Sequence, residues 1–217
     1  MTYTGDVVVG GPADQRELST LVLTKIAVGP WENNAYLLRC RATGDQLLVD
    51  AADEPERLLE LAGSGGLAGV VTTHCHGDHW QGLADVVKAT GARTFAHADD
   101  ADEIPVETDV VLAGGDTVMV GEVPLEVIHL RGHTPGSIAL RHRDPDGTDH
   151  LLTGDSLFPG GVGRTTDPEA FASLIGDVSR RVFEVMADDT WFYPGHGKDS
   201  TLGAERPHLA EWRERGW

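Results

Sequence analysis

The chain has 217 residues, of which 40% are hydrophobic, and this length can bury the core of one domain without disulfides. Its 17 basic and 35 acidic residues give a formal net charge of -18, which disfavours binding to nucleic-acid phosphates. We therefore expect one domain over residues 1–217, a small-molecule substrate and no nucleic-acid partner. Nothing in the sequence indicates an oligomeric state.

The start of the chain has no basic segment followed by an apolar one, and no run of about 18 apolar residues occurs anywhere. The chain also has only two cysteines. These features predict a cytoplasmic protein with reduced thiols and no membrane contact. Residues 1–19 are expected to be a loosely ordered segment, with the first strand starting at Leu21.

Hydrophobic patterning next predicts two strand-rich halves, with helices packed outside two central sheets. Asp167 is a good N-cap for the longest helix, and Pro168 suits its first turn. Helices are expected at 55–62, 78–90, 168–187 and 204–215. Strands are expected near 20–28, 34–40, 46–50, 68–73 and 93–97, and then near 116–120, 123–130, 137–143, 150–153 and 190–193.

Directly after the strand near 68–73, the chain reads His-Cys-His-Gly-Asp-His. Because side chains alternate along an extended chain, His74 and His76 are expected to point to the same side. The glycine then allows a sharp turn that aims Asp78 and His79 at a neighbouring point. Three imidazoles and a carboxylate on a rigid strand end indicate a metal site, and two adjacent ions are the natural interpretation.

Three later segments repeat this pattern of an apolar strand, a glycine and a ligand-type side chain. They contain His133, Asp155 and His196, each after a predicted strand of the second half. Imidazole and carboxylate ligands suit zinc, but they also suit iron or manganese. The residue types therefore predict a metal centre without choosing the metal.

Together these residues resemble the metallo-β-lactamase fold hydrolases, in which an HxHxDH motif precedes a lone His, a lone Asp and a final His. The resemblance covers about residues 20 to 200, and GDSLF at 154–158 with GRT at 163–165 is most similar to the glyoxalase II branch. It implies an α/β (α+β) fold, an αββα four-layer sandwich, and two divalent metal ions, with zinc expected first. It assigns His74, His76 and His133 to one ion, Asp78, His79 and His196 to the other, and Asp155 to a bridging position.

The same resemblance implies a metal-dependent hydrolase in which a metal-bound hydroxide attacks a thioester of the glyoxalase II type. Asp78 and Asp155 are its expected catalytic residues. A mononuclear iron persulfide dioxygenase and a lactone hydrolase on the same fold are the alternatives. Glyoxalase II carries a C-terminal helical domain that holds glutathione, whereas only about twenty residues follow His196 here, so the thiol carrier stays open.

Roles can also be predicted for five further residues, two of them with an alternative. Arg164 is expected either to meet a substrate carboxylate or to form a structural ion pair. Asp50 ends a predicted strand, so it either accepts a hydrogen bond from a ligating imidazole or loop amides, or is a plain turn residue. Cys40 and Cys75 are expected to be buried structural thiols, and His129 is expected to pack near the metal site without binding a metal.

Overall fold

Two β-sheets pack face to face in the structure, a computed structural model that describes residues 3–216. The strands of the first sheet follow chain order; its first three pairings are antiparallel and its last three are parallel. These strands are β1 (Asp14–Glu17), β2 (Leu21–Val28), β3 (Asn33–Cys40), β4 (Gln46–Val49), β5 (Gly69–Val71), β6 (Arg93–His97) and β7 (Val110–Leu112).

The second sheet also follows chain order, and its pairings are antiparallel except for one parallel pairing, between the strands Asp149–Gly154 and Trp191–Pro194. Its strands are β8 (Thr117–Val120), β9 (Val123–His129), β10 (Ile138–Arg143), β11 (Asp149–Gly154), β14 (Trp191–Pro194) and β15 (Ser200–Thr201). The short strands β12 (Leu157–Phe158) and β13 (Gly161–Val162) form a separate hairpin.

Helices cover the outer face of each sheet. The apolar residues of the helices Pro55–Ala62 and Leu83–Thr90 pack on the first sheet, and those of the helices Pro168–Val178 and Leu209–Arg215 pack on the second. The helices are α1 (Pro55–Ala62), α2 (Leu83–Thr90), α3 (Ala98–Ala101), α4 (Pro168–Val178), α5 (Leu202–Glu205) and α6 (Leu209–Arg215). The αββα sandwich predicted from the sequence is confirmed. Within residues 3–216, the helices are all too short or too polar to cross a bilayer.

The main core lies between the two sheets. Leu38 and Val49 of the first sheet pack in one cluster with Leu125 and Leu140 of the second. All eight residues of β2 are buried, because this strand is covered on both sides. Burial on both sides explains why the central strands appear in the sequence as nearly continuous apolar runs.

The prediction that the first strand starts at Leu21 was wrong, because β1 begins at Asp14. Its sequence, Asp-Gln-Arg-Glu, has no apolar residue, and the strand exists because its backbone pairs with β2. Asp14 also accepts hydrogen bonds from the backbone N–H groups of Thr4 and Gly5. The strands β7, β12, β13 and β15 were also not predicted, since each has only two or three residues.

The longest helix begins as predicted but ends early. Asp167 caps it by accepting a hydrogen bond from the backbone N–H of Ala170 at 2.8 Å. The α-helix ends at Val178 and continues as the π-helix Ser179–Phe183. The Ser179 hydroxyl donates to the carbonyl of Ile175 at 2.6 Å, a contact that competes with regular helical geometry.

Two other predicted helices are interrupted. The segment 78–90 starts inside a 3-10 turn, Gly77–His79, and α2 begins only at Leu83. The segment 204–215 is divided by a 3-10 turn, Arg206–His208, between α5 and α6. Pro207 lies in this turn, and proline cannot donate the backbone hydrogen bond of a continuous α-helix.

A buried histidine makes the fold sensitive to acid. His150 in β11 is 3% exposed, and its Nδ1 lies 2.8 Å from the hydroxyl of Tyr193. Burial, assisted by the positive charge of Arg16, lowers the pKa of His150 to about 4. In the unfolded chain a histidine has a pKa of about 6.5, so the unfolded state takes up the proton first as the pH falls.

We therefore expect the free energy of unfolding to fall between about pH 6.5 and pH 4, by up to about 3 kcal/mol from His150 alone. In a His150→Gln variant this part of the pH dependence should disappear, as measured by urea unfolding at several pH values. The exposed His208 offers a control, since His208→Gln should keep the wild-type slope. An unchanged slope in His150→Gln would contradict the assignment.

Candidate metal centre

Seven ligand-type side chains meet where strands of both sheets end. They follow β5 of the first sheet and β9, β11 and β14 of the second, so the first sheet contributes one strand end and the second contributes three. The structure thus brings together all the residues predicted as metal ligands: His74, His76, Asp78, His79, His133, Asp155 and His196. Their role as ligands stays a prediction, which the experiments below test.

The first group is a triad of imidazoles from His74, His76 and His133. One nitrogen of each ring lies within 4.8 Å of the other two. The Nε2 atoms of His74 and His133 are 3.3 Å apart. Burial lowers the pKa of His74 well below its ordinary value, with the neighbouring imidazoles adding to the effect, and burial also lowers the pKa of His133. Neutral imidazoles have the lone pairs that a metal ion requires.

The second group is formed by Asp78, His79 and His196. Asp78 Oδ2 lies 3.3 Å from His196 Nε2 and 3.7 Å from His79 Nε2. Burial alone would raise the pKa of Asp78, but a hydrogen bond from Asn33 and the charges of the two histidines hold it below its ordinary value. Asp78 therefore presents a carboxylate to the two rings.

Asp155 lies between the two triads. Its Oδ1 is 3.5 Å from His79 Nε2, whereas its Oδ2 is 3.7 Å from His133 Nε2 and 3.6 Å from His196 Nε2. Burial alone would raise the pKa of Asp155, but the imidazoles of these histidines hold it below its ordinary value. A carboxylate in this position can contact an ion in either triad with a different oxygen.

Two buried polar atoms without partners indicate whether these residues fit a cation. Within residues 3–216, neither His79 Nε2 nor Asp155 Oδ1 has a hydrogen-bond partner, although both are buried. Leaving such atoms unsatisfied costs about 1–3 kcal/mol each. Burial alone would lower the pKa of His79, yet the charges of Asp50 and Asp155 raise it to about 10. The site therefore favours positive charge between these atoms, and the donor set fits a divalent metal ion.

Hydrogen bonds on the outer side of the rings fix their orientation. Asp50 Oδ2 lies 2.8 Å from His79 Nδ1, and Asp50 also accepts from the backbone N–H of Thr73 at 2.7 Å. His133 Nδ1 lies 2.8 Å from the carbonyl oxygen of Arg164. Because an outer acceptor takes the proton on Nδ1, Nε2 is left to face the centre.

Asn33 also contributes to the centre, although its role was not predicted from the sequence. Its side-chain amide donates to Asp78 Oδ2 at 3.0 Å and lies 3.3 Å from His196 Nε2. The carbonyl of Trp31, two residues earlier, is 3.0 Å from His196 Nδ1. No pattern around Asn33 indicates a metal site, because its partners lie 45 and 163 residues away.

The buried ion pair of Lys25 and Asp199 was also missed. Their side chains are 0% and 1% exposed and 2.7 Å apart. Lys25 also donates to the carbonyl of Gly197 at 2.8 Å, which holds the loop after His196 against β2. The lysine within the apolar run of β2 could have indicated this ion pair, because a buried charge requires a partner.

An open cavity of about 470 Å³ adjoins the first triad and is lined by His76, His133, Arg164, Thr165 and Thr166. Arg164 is exposed at its edge. Among residues 3–216, its guanidinium has no hydrogen-bond or ion-pair partner, so the structural ion pair considered for Arg164 is not present.

The remaining predicted residues lie outside the two triads. Cys40 is buried, and Cys75 is half-buried with its thiol 3.5 Å from a carboxylate oxygen of Glu103. Burial and the charges of Asp100 and Glu103 raise the pKa of Cys75 to about 12, so it is not a thiolate nucleophile. His129 Nε2 donates to the carbonyl of Pro135 at 2.8 Å.

The sequence matches the profile of the metallo-beta-lactamase superfamily over residues 28–196. The chain belongs to this superfamily. Its curated relatives include hydroxyacylglutathione hydrolases, and the metallo-beta-lactamase fold implies divalent metal ions. This confirms the resemblance predicted from the HxHxDH motif and the later ligands.

Three proteins of known sequence or structure are similar to this chain. A hydroxyacylglutathione hydrolase from Anaeromyxobacter dehalogenans is 39% identical over 171 residues, which are 76% of this chain and 61% of that protein. A di-iron-bound form of TTHA1623 has a TM-score of 0.69 and 32% identity, covering 84% of this chain and 96% of that one. ETHE1 from Myxococcus xanthus has a TM-score of 0.77 and 25% identity, covering 88% and 84%.

The match to this chain spans 56–64% of the length of three curated hydroxyacylglutathione hydrolases.

Gly195 provides a test of the metal centre that leaves every ligand in place. A Cβ at this position would overlap Asp155 Oδ1 and would lie 2.7 Å from His79 Cε1. We expect Gly195→Ala to weaken metal binding at least about tenfold, because the Asp155 carboxylate must move. Competition with a chromophoric chelator measures this affinity. Gly176→Ala is the control, since a Cβ there meets only the flexible end of Arg180, at 3.1 Å; equal affinities in both variants would contradict the assignment.

Proposed function

We propose that this protein is a binuclear metallohydrolase that cleaves thioesters of the glyoxalase II type. The observation that carries the proposal is the position of Asp155 between the triads. Its Oδ1 lies 3.5 Å from His79 of the second triad, and its Oδ2 lies 3.7 Å from His133 of the first and 3.6 Å from His196 of the second. The 39% identity to a hydroxyacylglutathione hydrolase supports the choice of substrate class. Divalent ions in the two triads would lower the pKa of a water molecule towards neutrality and polarise an acyl oxygen.

The protein's own groups prepare the site for this reaction. Asp50 and the carbonyl of Arg164 hold the rings of His79 and His133 with Nε2 facing the centre. Asp78 and Asp155 supply negative charge that offsets bound cations and can accept a proton from attacking water. The side chains of both triads already lie together in the structure, and such preorganisation supports catalysis at a metal centre.

The substrate is proposed to be a small molecule that enters by the cavity next to His133 and Arg164. The exposed guanidinium of Arg164 can bind a carboxylate of the thiol carrier through two hydrogen bonds. In a chain with a net charge of -18, an anionic substrate must be attracted by such a local cation. The match spans only part of the relatives' length, so glutathione is one carrier to test among several.

Metal content is the decisive measurement. Zinc is the proposed metal, and iron is the specific alternative because similar TTHA1623 has a di-iron-bound form. We expect two divalent ions per chain and hydrolysis of S-lactoylglutathione or of a mycothiol or bacillithiol thioester. One iron per chain, with oxygen consumed in the presence of glutathione persulfide, would instead support a mononuclear dioxygenase. Hydrolysis confined to a homoserine lactone would replace the substrate class but keep the two ions.

The bridging role of Asp155 predicts a specific loss. We expect Asp155→Ala to lower kcat/KM by at least about a hundredfold and to lower the metal content, because both ions lose a shared ligand. Elemental analysis and thioester turnover measure the two effects. Asp85→Ala removes an exposed carboxylate of α2 and should change neither. Full activity of Asp155→Ala with two ions bound would rule out the bridging role.

The proposed substrate contact of Arg164 predicts an effect on KM. We expect Arg164→Ala to raise KM about tenfold to a hundredfold for thioesters with a carboxylate, because a charge-assisted hydrogen bond contributes about 1.5–3 kcal/mol. Neutral thioesters should be affected little, and Arg164→Lys should be intermediate. Lys88→Ala, which removes an exposed cation from α2, is the control. Equal KM changes for charged and neutral substrates would argue against the contact.

A further inference from the structure

Asp100 is a buried carboxylate outside both triads that contacts two ligand-bearing segments. It lies in α3 and is 1% exposed. Its Oδ2 accepts hydrogen bonds from the backbone N–H of Cys75 at 2.9 Å and from the hydroxyl of Thr134 at 2.6 Å. Its Oδ1 accepts from the backbone N–H of Gly136 at 2.6 Å. All three donors thus come from only two segments of the chain.

Both segments carry ligands of the first triad. Cys75 stands between His74 and His76 in the segment after β5 of the first sheet. Thr134 follows His133 in the loop after β9 of the second sheet. One carboxylate therefore fixes the distance between ligands that belong to different sheets.

The loop after β9 is built to approach this carboxylate closely. A Cβ on Gly136 would lie 2.7 Å from the Cγ, Oδ1 and backbone nitrogen of Asp100, so only glycine fits. The Thr134 hydroxyl also lies 2.6 Å from that of Ser137, and the carbonyl of Ser137 accepts from the backbone N–H of Leu130. The loop is thereby closed on itself and held against Asp100.

Different groups hold the second triad. Asp50 contacts His79, Asn33 contacts Asp78, and the carbonyl of Trp31 contacts His196. A general loss of stability would affect both triads, whereas loss of the Asp100 contacts should affect the first triad alone. This difference separates a positioning role from a merely structural one.

We propose that Asp100 is a positioning residue that sets the spacing of His74, His76 and His133 and so determines the affinity of the first metal ion. The inference rests on the two-ion part of the proposed function. An asparagine in its place has one acceptor oxygen and one NH₂ group, so it cannot accept hydrogen bonds on both sides. In Asp100→Asn at least one donor of a ligand segment loses its partner, and that segment must shift.

The test is a titration of the metal-free protein with Zn²⁺ against a chromophoric chelator, which resolves the affinities of the two equivalents. We expect Asp100→Asn to weaken one equivalent about tenfold to a hundredfold and to leave the other unchanged. The weakened equivalent should be the one lost in His133→Ala and kept in His196→Ala. Asp102→Asn is the matched control, because it removes the same charge from an exposed carboxylate two residues further along the chain.

Thr134→Val provides a second variant in case Asp100→Asn does not fold, since it removes one donor and keeps the buried carboxylate. It should weaken the same equivalent by a smaller factor. Wild-type affinity for both equivalents in both variants, or equal weakening of both, would overturn the positioning role. Fewer than two equivalents in the wild-type protein would instead contradict the two-ion proposal. The positioning role would then depend on whether Asp100→Asn weakens the single equivalent.

Discussion

The arrangement of the centre depends on one electrostatic constraint, the need to place positive charge among close ligand-type atoms. Contacts between neighbouring ligand-type atoms of the two triads and Asp155 are 3.3–3.7 Å, so facing lone pairs repel unless a proton or a metal ion lies between them. His79 and Asp155 present this constraint most directly, since both are buried with an unsatisfied atom. A divalent ion would satisfy these lone pairs. The hydrogen bonds around the centre hold the ligand-type side chains close together, as such an ion requires.

The two packed sheets meet this constraint because the strands that precede the ligand-type residues end at the same edge of the sandwich. Neither sheet alone supplies a complete site, since the first triad takes His133 from the second sheet and the second triad takes His196 from it. Contacts between the sheets therefore matter as much as the ligands themselves. Asp100 joins the two sheets beside the first triad, and the buried ion pair of Lys25 and Asp199 holds the loop after His196 beside the second.

The charge of the surface also affects which substrates can reach the centre. The net charge of -18 disfavours anions over most of the surface, whereas Arg164 places an exposed cation beside the centre. The backbone carbonyl of the same residue orients His133. The loop after Asp155 thus combines a ligand contact with a proposed substrate contact, so changes in this loop can alter both metal binding and substrate choice.

The sequence by itself determined the ligand-type residues and the strand ends that carry them, because strand alternation and the HxHxDH spacing are local properties. The αββα class followed from the resemblance of these motifs to a known family. The sequence did not determine β1, whose residues are polar and depend on pairing with β2, or the π-helix that follows α4. It also gave no indication of Asn33 or Asp100, whose partners lie 25 to 163 residues away. Only the tertiary structure decides such contacts, because a buried polar group gains its partner from whichever distant segment the packing of the two sheets brings beside it.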